Sequence, residues 1–151
     1  MESCHDFHLE PLTGPDEPMQ VWSRITCGGR VVLPRVDGTD LIAQFRCREG
    51  HALLLGFDAP FEEALHLVYL DGQDRLRDEV RFSFARPEGV GIVTELRAES
   101  EDVLTFNFYG RWRVQVSAHA GLGVSRTPAG VYRLPGRLIG RHHLRVEALA
   151  V

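Results

Sequence analysis

The chain has no lysine: all 17 basic residues are arginine. That excludes a lysine nucleophile, a Schiff-base site and the G-x-x-x-x-G-K-[ST] phosphate loop, which needs a lysine by definition. The simplest source of this bias is a GC-rich genome, because arginine codons are GC-rich and lysine codons are not. Cysteine is scarce as well. Three residues, Cys4, Cys27 and Cys47, are an odd and low count that does not make a disulfide framework and is read as free thiols. No apolar run approaches the roughly 20 residues that a membrane-spanning helix requires. The opening segment MESCHDFHLEPLTGPDEP lacks the basic start and apolar core of a secretory signal, so a bacterial cytoplasmic setting is the expectation. The net charge of −4 provides no global basic field, and nucleic acid is not an expected partner.

Familiar catalytic signatures are missing too. There is no G-x-S-x-G elbow and no H-E-x-x-H pair. Gly121-Leu122-Gly123-Val124-Ser125-Arg126 lacks the third glycine of a dinucleotide fingerprint. Glu62-Glu63-Ala64-Leu65-His66 contains a Glu-x-x-His spacing, but a di-iron site needs two such copies on helices of a bundle. Cys27 and Cys47 sit in apolar, strand-like contexts that suit inert packing. No catalytic residue and no cofactor is assigned, and the balance leans away from an enzyme.

What the sequence does contain is alternation. Leu41, Ala43, Phe45 and Cys47 oppose Gln44, Arg46 and Arg48. Val80, Phe82 and Phe84 oppose Glu79, Arg81 and Ser83, and Trp112, Val114 and Val116 oppose Arg111, Arg113 and Gln115. A period of two is the mark of a half-buried strand. Turn signals (Gly28-Gly29, Asp37-Gly38, Glu49-Gly50, Asp71-Gly72, Pro87-Glu88-Gly89) recur at short intervals and join segments too closely for parallel crossovers. The predicted fold is all-β: a single antiparallel β-sandwich, or partly open barrel, of about nine to ten strands with at most one short helix. Two layers are expected. Residues 59–70 read as a strand in preference to a helix, and 119–136 as a long Gly/Pro-rich connection, or one hiding a strand at 131–134. Residues 1–18 read as a polar, Pro-rich leader, and 19–151 as the β-domain. The expected core comprises Val21, Ile25, Val31, Leu41, Phe45, Leu53, Leu55, Leu67, Phe82, Phe84, Ile92, Leu96, Leu104, Phe106, Trp112, Val114, Val116, Leu144 and Val146.

Charge is segregated along the chain. Residues 1–20 carry Glu2, Asp6, Glu10, Asp16 and Glu17 with no arginine, whereas 107–151 carry seven arginines and one acid, Glu147. In the last segment Arg137, Ile139, Arg141, His143 and Arg145 share one face if it is a strand. Guanidinium groups so arranged suit bidentate contact with carboxylates. The candidate surface is therefore Arg111, Arg113, Arg133, Arg137, Arg141, His143 and Arg145, either open to an acidic patch on a partner protein or covered by the acidic leader. The expected role is a non-enzymatic interaction module such as an immunity, inhibitor or adaptor protein. The alternative is a small-anion or metabolite-binding domain, possibly enzymatic, using the last strand and the 119–136 loop. Cys4, His5 and His8 crowd ligand-type side chains together, but a structural zinc site draws on two separated pairs, and no metal is assigned there.

Overall fold

A computed structural model describes residues 1–12, 22–59, 62–84, 91–124, 127–133 and 139–150. Its thirteen strands are, in chain order, β1 (Glu2–Ser3), β2 (Phe7–Pro11), β3 (Trp22–Cys27), β4 (Arg30–Asp37), β5 (Asp40–Cys47), β6 (Gly50–Ala59), β7 (Glu62–Asp71), β8 (Leu76–Ser83), β9 (Thr94–Ser100), β10 (Val103–Asn107), β11 (Arg111–Val124), β12 (Val131–Arg133) and β13 (Ile139–Leu149). Every pairing is antiparallel, and no helix occurs among the described residues. The sandwich inferred from alternation is thus present, with more strands and one more sheet than expected. A central sheet runs β1-β5-β6-β7-β8-β12; a second runs β13-β11-β10-β9 and a third β2-β3-β4.

The extra layer follows from the middle strands. Leu54 of β6 pairs with Leu67 of β7, and Ala52 with Tyr69; these side chains meet Leu104, Phe106, Trp112 and Val114 of the second sheet. Their neighbours Leu53, Leu55, Val68 and Leu70 point the other way, onto Phe7, Ile25, Leu33 and Val36 of the third. A strand covered on both faces has no polar side to alternate with, so it reads as a continuous apolar run. Ala52-Leu53-Leu54-Leu55 and Leu67-Val68-Tyr69-Leu70 are those runs, and all eight residues are at most 1% exposed. In the larger core, Phe82 meets Phe106 and Trp112 edge-on at 5.3 Å, and the Trp112 indole donates to the Phe108 carbonyl at 2.8 Å.

Within the segment read as a leader, residues 1–12 join the sheets: β1 pairs with β5, β2 pairs with β3, and Phe7 is 2% exposed. The apolar period Phe7, Leu9 inside the polar stretch was its only signal. Residues 62–71 are a strand, and the 119–136 stretch contains the end of β11 and the short β12. Gly28 and Gly29, at φ 57° and 77°, form a two-residue turn whose positive φ values match the twist of the β3–β4 hairpin. Val31, one residue beyond that hairpin's closing pair, is 46% exposed, and Ile92 is 65% exposed; neither belongs to the core. Val21 and Arg137 lie outside the described residues.

Candidate functional site

A recess of about 880 Å³ opens where the turn between β7 and β8 faces β11 and β13. A break in register creates it. Val116 pairs with Leu144 and Gly121 with His142, so four residues of β11, 117–120, stand opposite His143 alone. Such a bulge bends its strand away from the ladder and re-aims side chains. Its freed carbonyls are taken up locally: the His143 Nδ1–H donates to Ser117 O at 2.7 Å, and the Ser117 hydroxyl donates to His119 O at 2.7 Å. Ala118, His119 and Ala120 form one wall of the cleft, with Leu122, Arg141 and His143 beside them.

The opposite wall is an acid-nucleated turn. One Asp71 oxygen accepts from the amides of Gln73 at 2.9 Å and Arg75 at 3.0 Å, and the other accepts from Arg77 Nε at 2.6 Å. Desolvation pushes the Asp71 carboxyl up, but these bonds outweigh it and hold the group below its ordinary range. Tyr69 forms the floor. Burial raises its hydroxyl to about 12, so it remains a proton donor at neutral pH, and the His143 ring lies 5.5 Å from its own. A smaller hollow of about 220 Å³ continues past Tyr69 and His119 towards Arg48 and Asp102.

The strand carrying Arg141 and His143 is held from behind. Asp78, fully buried on β8, accepts from the amides of His143 and Leu144, each at 2.8 Å, from the Glu79 amide at 2.9 Å and from Arg133 Nη1. Arg133 Nη2 donates in turn to Leu144 O. One carboxylate thereby joins β8, β12 and β13. Arg133 is 7% exposed and committed to this lock, so it is corrected from surface residue to internal strut.

The other candidates divide. Arg141 and His143 line the cleft. Arg113 lies 3.6 Å from Glu99 and 3.5 Å from Glu147, and Arg145 lies 3.0 Å from Glu147, so these two face carboxylates on their own sheet. Arg111 is exposed at the start of β11. The acids of the first twelve residues do not cover this region. Glu10 binds Arg24 at 2.7 Å and Thr26 at 3.1 Å, while Asp6 binds Arg46 at 3.1 Å. The Glu-x-x-His spacing does not converge: Glu63 accepts from Tyr109 and the Gly91 amide, whereas His66 faces Glu79 at 3.3 Å and the Asp37 carbonyl at 3.2 Å. Cys4 is buried while His5 and His8 are exposed, so these three do not form a common ligand set. None of the thiols is activated. Burial pushes Cys47 up to about 12 and raises Cys4 and Cys27 in the same direction.

The sequence pointed to Arg141 and His143 but not to Asp78, Tyr69 or the Asp71 turn. No described helix is long and apolar enough to cross a membrane. Comparison of the chain with protein-family models, curated proteins and solved structures finds no match.

Proposed function

We propose that the protein is a non-enzymatic interaction module that receives an acidic segment of a partner protein in the cleft between the β7–β8 turn and the β11 bulge. The observation that carries this is the bulge itself. It opens a recess lined by Arg141, His119 and His143, and Arg141 has no carboxylate partner among the described residues. Leu122, 81% exposed at the rim, and Leu76 inside add apolar surface to a lining in which Arg77 and Arg141 stand beside Glu49 and Asp71. Arginine beside apolar anchors is a combination enriched at protein-docking sites. The recess is open along one side, which suits a length of chain better than a small molecule that must be mostly enclosed. Protonated thiols and a carboxylate committed to bracing β13 fit a scaffold for binding. Three unpaired cysteines suit a reducing compartment such as the bacterial cytoplasm, and an immunity, inhibitor or adaptor role fits that setting.

The test is affinity purification from the native host at low salt with wild-type protein, Arg141→Glu and, as a charge-matched control, Arg97→Glu on the exposed β9. A stoichiometric partner retained by wild type and the control, and lost from Arg141→Glu, is expected. Recovery of the chain alone, or a partner indifferent to Arg141, contradicts the proposal. A second reading, a small carboxylate or phosphate held by Arg141 and the two histidines, rests on the same convergence. It predicts thermal stabilisation by millimolar metabolites, because a ligand bound only by the folded state raises its stability by mass action.

A further inference from the structure

Away from the cleft, where β1 meets β2, three ligand-type side chains of different chemistry converge. Cys4 Sγ, an oxygen of Asp6 and a ring nitrogen of His51 all lie within 4.8 Å of one another. They come from two distant parts of the chain, and each is fixed by its own scaffold. The Gln44 side chain clamps the loop: its Oε1 accepts from the Phe7 amide at 2.9 Å, and its Nε2 donates to the Phe7 carbonyl at 3.0 Å. The Cys4 amide donates to the Gln44 carbonyl at 3.1 Å, and its thiol faces Gln44 Oε1 at 4.0 Å. His51 stands on β6 opposite Arg46 of β5, its ring edge-on to Phe7 at 4.9 Å.

We propose that Cys4, Asp6 and His51 form a site for a divalent transition-metal ion of the zinc class, with a fourth position left to water or a partner's side chain. Sulfur, imidazole nitrogen and carboxylate oxygen are the three donor types zinc takes, and three protein ligands with one open position is a recurrent arrangement. A second observation points the same way. His51 Nδ1 is shielded from solvent and makes no hydrogen bond, while Asp74 Oδ1 stands 3.8 Å from it. Asp74 is itself oriented by Arg30, at 2.5 Å from its other oxygen. A carboxylate behind a metal-bound histidine is the usual outer-shell partner, because it accepts a hydrogen bond from the N–H of the nitrogen that does not ligate. Binding ionises the thiol: the metal–sulfur bond forms as the S–H bond breaks and the proton passes to solvent. Tetrahedral ligation at zinc bond lengths places sulfur and nitrogen roughly 3.6 Å apart, so binding draws them together by no more than about 1.2 Å. Asp6 leaves or shares Arg46, whose side chain is 58% exposed and can turn to solvent. The ion would tie the first residues of the chain to the central sheet.

The probe is Co²⁺, followed by Zn²⁺ competition, titrated into the reduced, metal-free full chain. The expected result is one ion per chain, with a thiolate-to-cobalt absorption band, release of a proton and a higher unfolding temperature. Cys4→Ser should abolish the band. His51→Ala and Asp6→Asn should weaken binding by at least the roughly 10–100-fold that loss of an outer-shell partner costs. His5→Ala and His8→Ala should change nothing. The wild-type titration is decisive even where a variant folds poorly: no thiolate band at micromolar cobalt overturns the proposal. So does a band that survives in Cys4→Ser or disappears in His5→Ala.

Discussion

Replacing Asp78 by alanine should be among the most damaging single substitutions in the molecule. The wild-type carboxylate is fully buried and accepts from Arg133 and from three backbone amides, those of Glu79, His143 and Leu144. Alanine leaves the Arg133 guanidinium inside the protein without its counter-charge. Breaking a buried pair from one side costs about 3–5 kcal/mol, because the surviving charge cannot be rehydrated. Each amide orphaned in the interior adds about 1–3 kcal/mol unless water enters. With total stability typically about 5–15 kcal/mol, the first cost alone consumes a large share. For a chain of this size it corresponds to a fall in unfolding temperature of roughly 6–20 °C. Urea unfolding of wild type, Asp78→Ala, Arg133→Met and the double variant separates the causes. The double variant should be less damaged than the sum of the singles, since it removes both charges, yet still less stable than wild type, because the Glu79, His143 and Leu144 amides remain unpaired. A loss below about 0.5 kcal/mol for Asp78→Ala, the range of ordinary surface changes, would show that this carboxylate does not brace the three strands.

Three further outcomes follow from the same structure. Leu54→Ala, in the strand covered on both sides, should cost about 2–5 kcal/mol in urea unfolding, whereas Val31→Ala on the exposed side of β4 should stay within about 0.5 kcal/mol. Stability should hold up to pH 9, the ordinary thiol range for Cys47, and then fall as pH approaches its folded value of about 12. The unfolded thiol ionises first, giving a loss of about 2 kcal/mol by about pH 10.5 that should be missing from Cys47→Ala. Replacing Gly29 by valine should destabilise the β3–β4 hairpin by about 1 kcal/mol or more, since its φ of 77° disfavours a branched side chain; equal stability in urea would show that the turn relaxes.

How much of this was legible in the sequence depended on whether a feature was local. The first part of β11, residues 111–116, announced itself because one face is buried and the other solvated, and period two survives in the residue order; its continuation past 118 did not. The third sheet was less visible. Leu53-Leu54-Leu55 records only that both faces are buried, not what covers them, and the cover comes partly from Phe7 in a segment that reads as polar. Arg141 and His143 could be picked out by spacing, since residues two apart share a strand face. Their separation from Arg133 could not. Only the pairing of β8 with β12 brings Asp78 beneath Arg133, and a buried arginine looks like any other in sequence. The cleft depends on three extra residues in β11, and nothing about Ser117-Ala118-His119-Ala120 distinguishes a bulge from continued strand. Cys4, Asp6 and His51 meet only because β1 joins the edge of β5, which aligns a cysteine near the start of the chain with a histidine forty-seven residues later.

The proposed role rests on the bulge cleft receiving acidic polypeptide. Its most direct test is amide chemical-shift mapping of the labelled full chain with a short glutamate-rich peptide carrying one leucine, at low and at moderate salt. Saturable shifts confined to Gly72, Gln73, residues 118–122 and 141–143, weakened by salt and abolished in Arg141→Glu, are the predicted result. Saturable shifts centred on the outer face around Arg113 and Arg145, or no shifts at millimolar peptide, would contradict it.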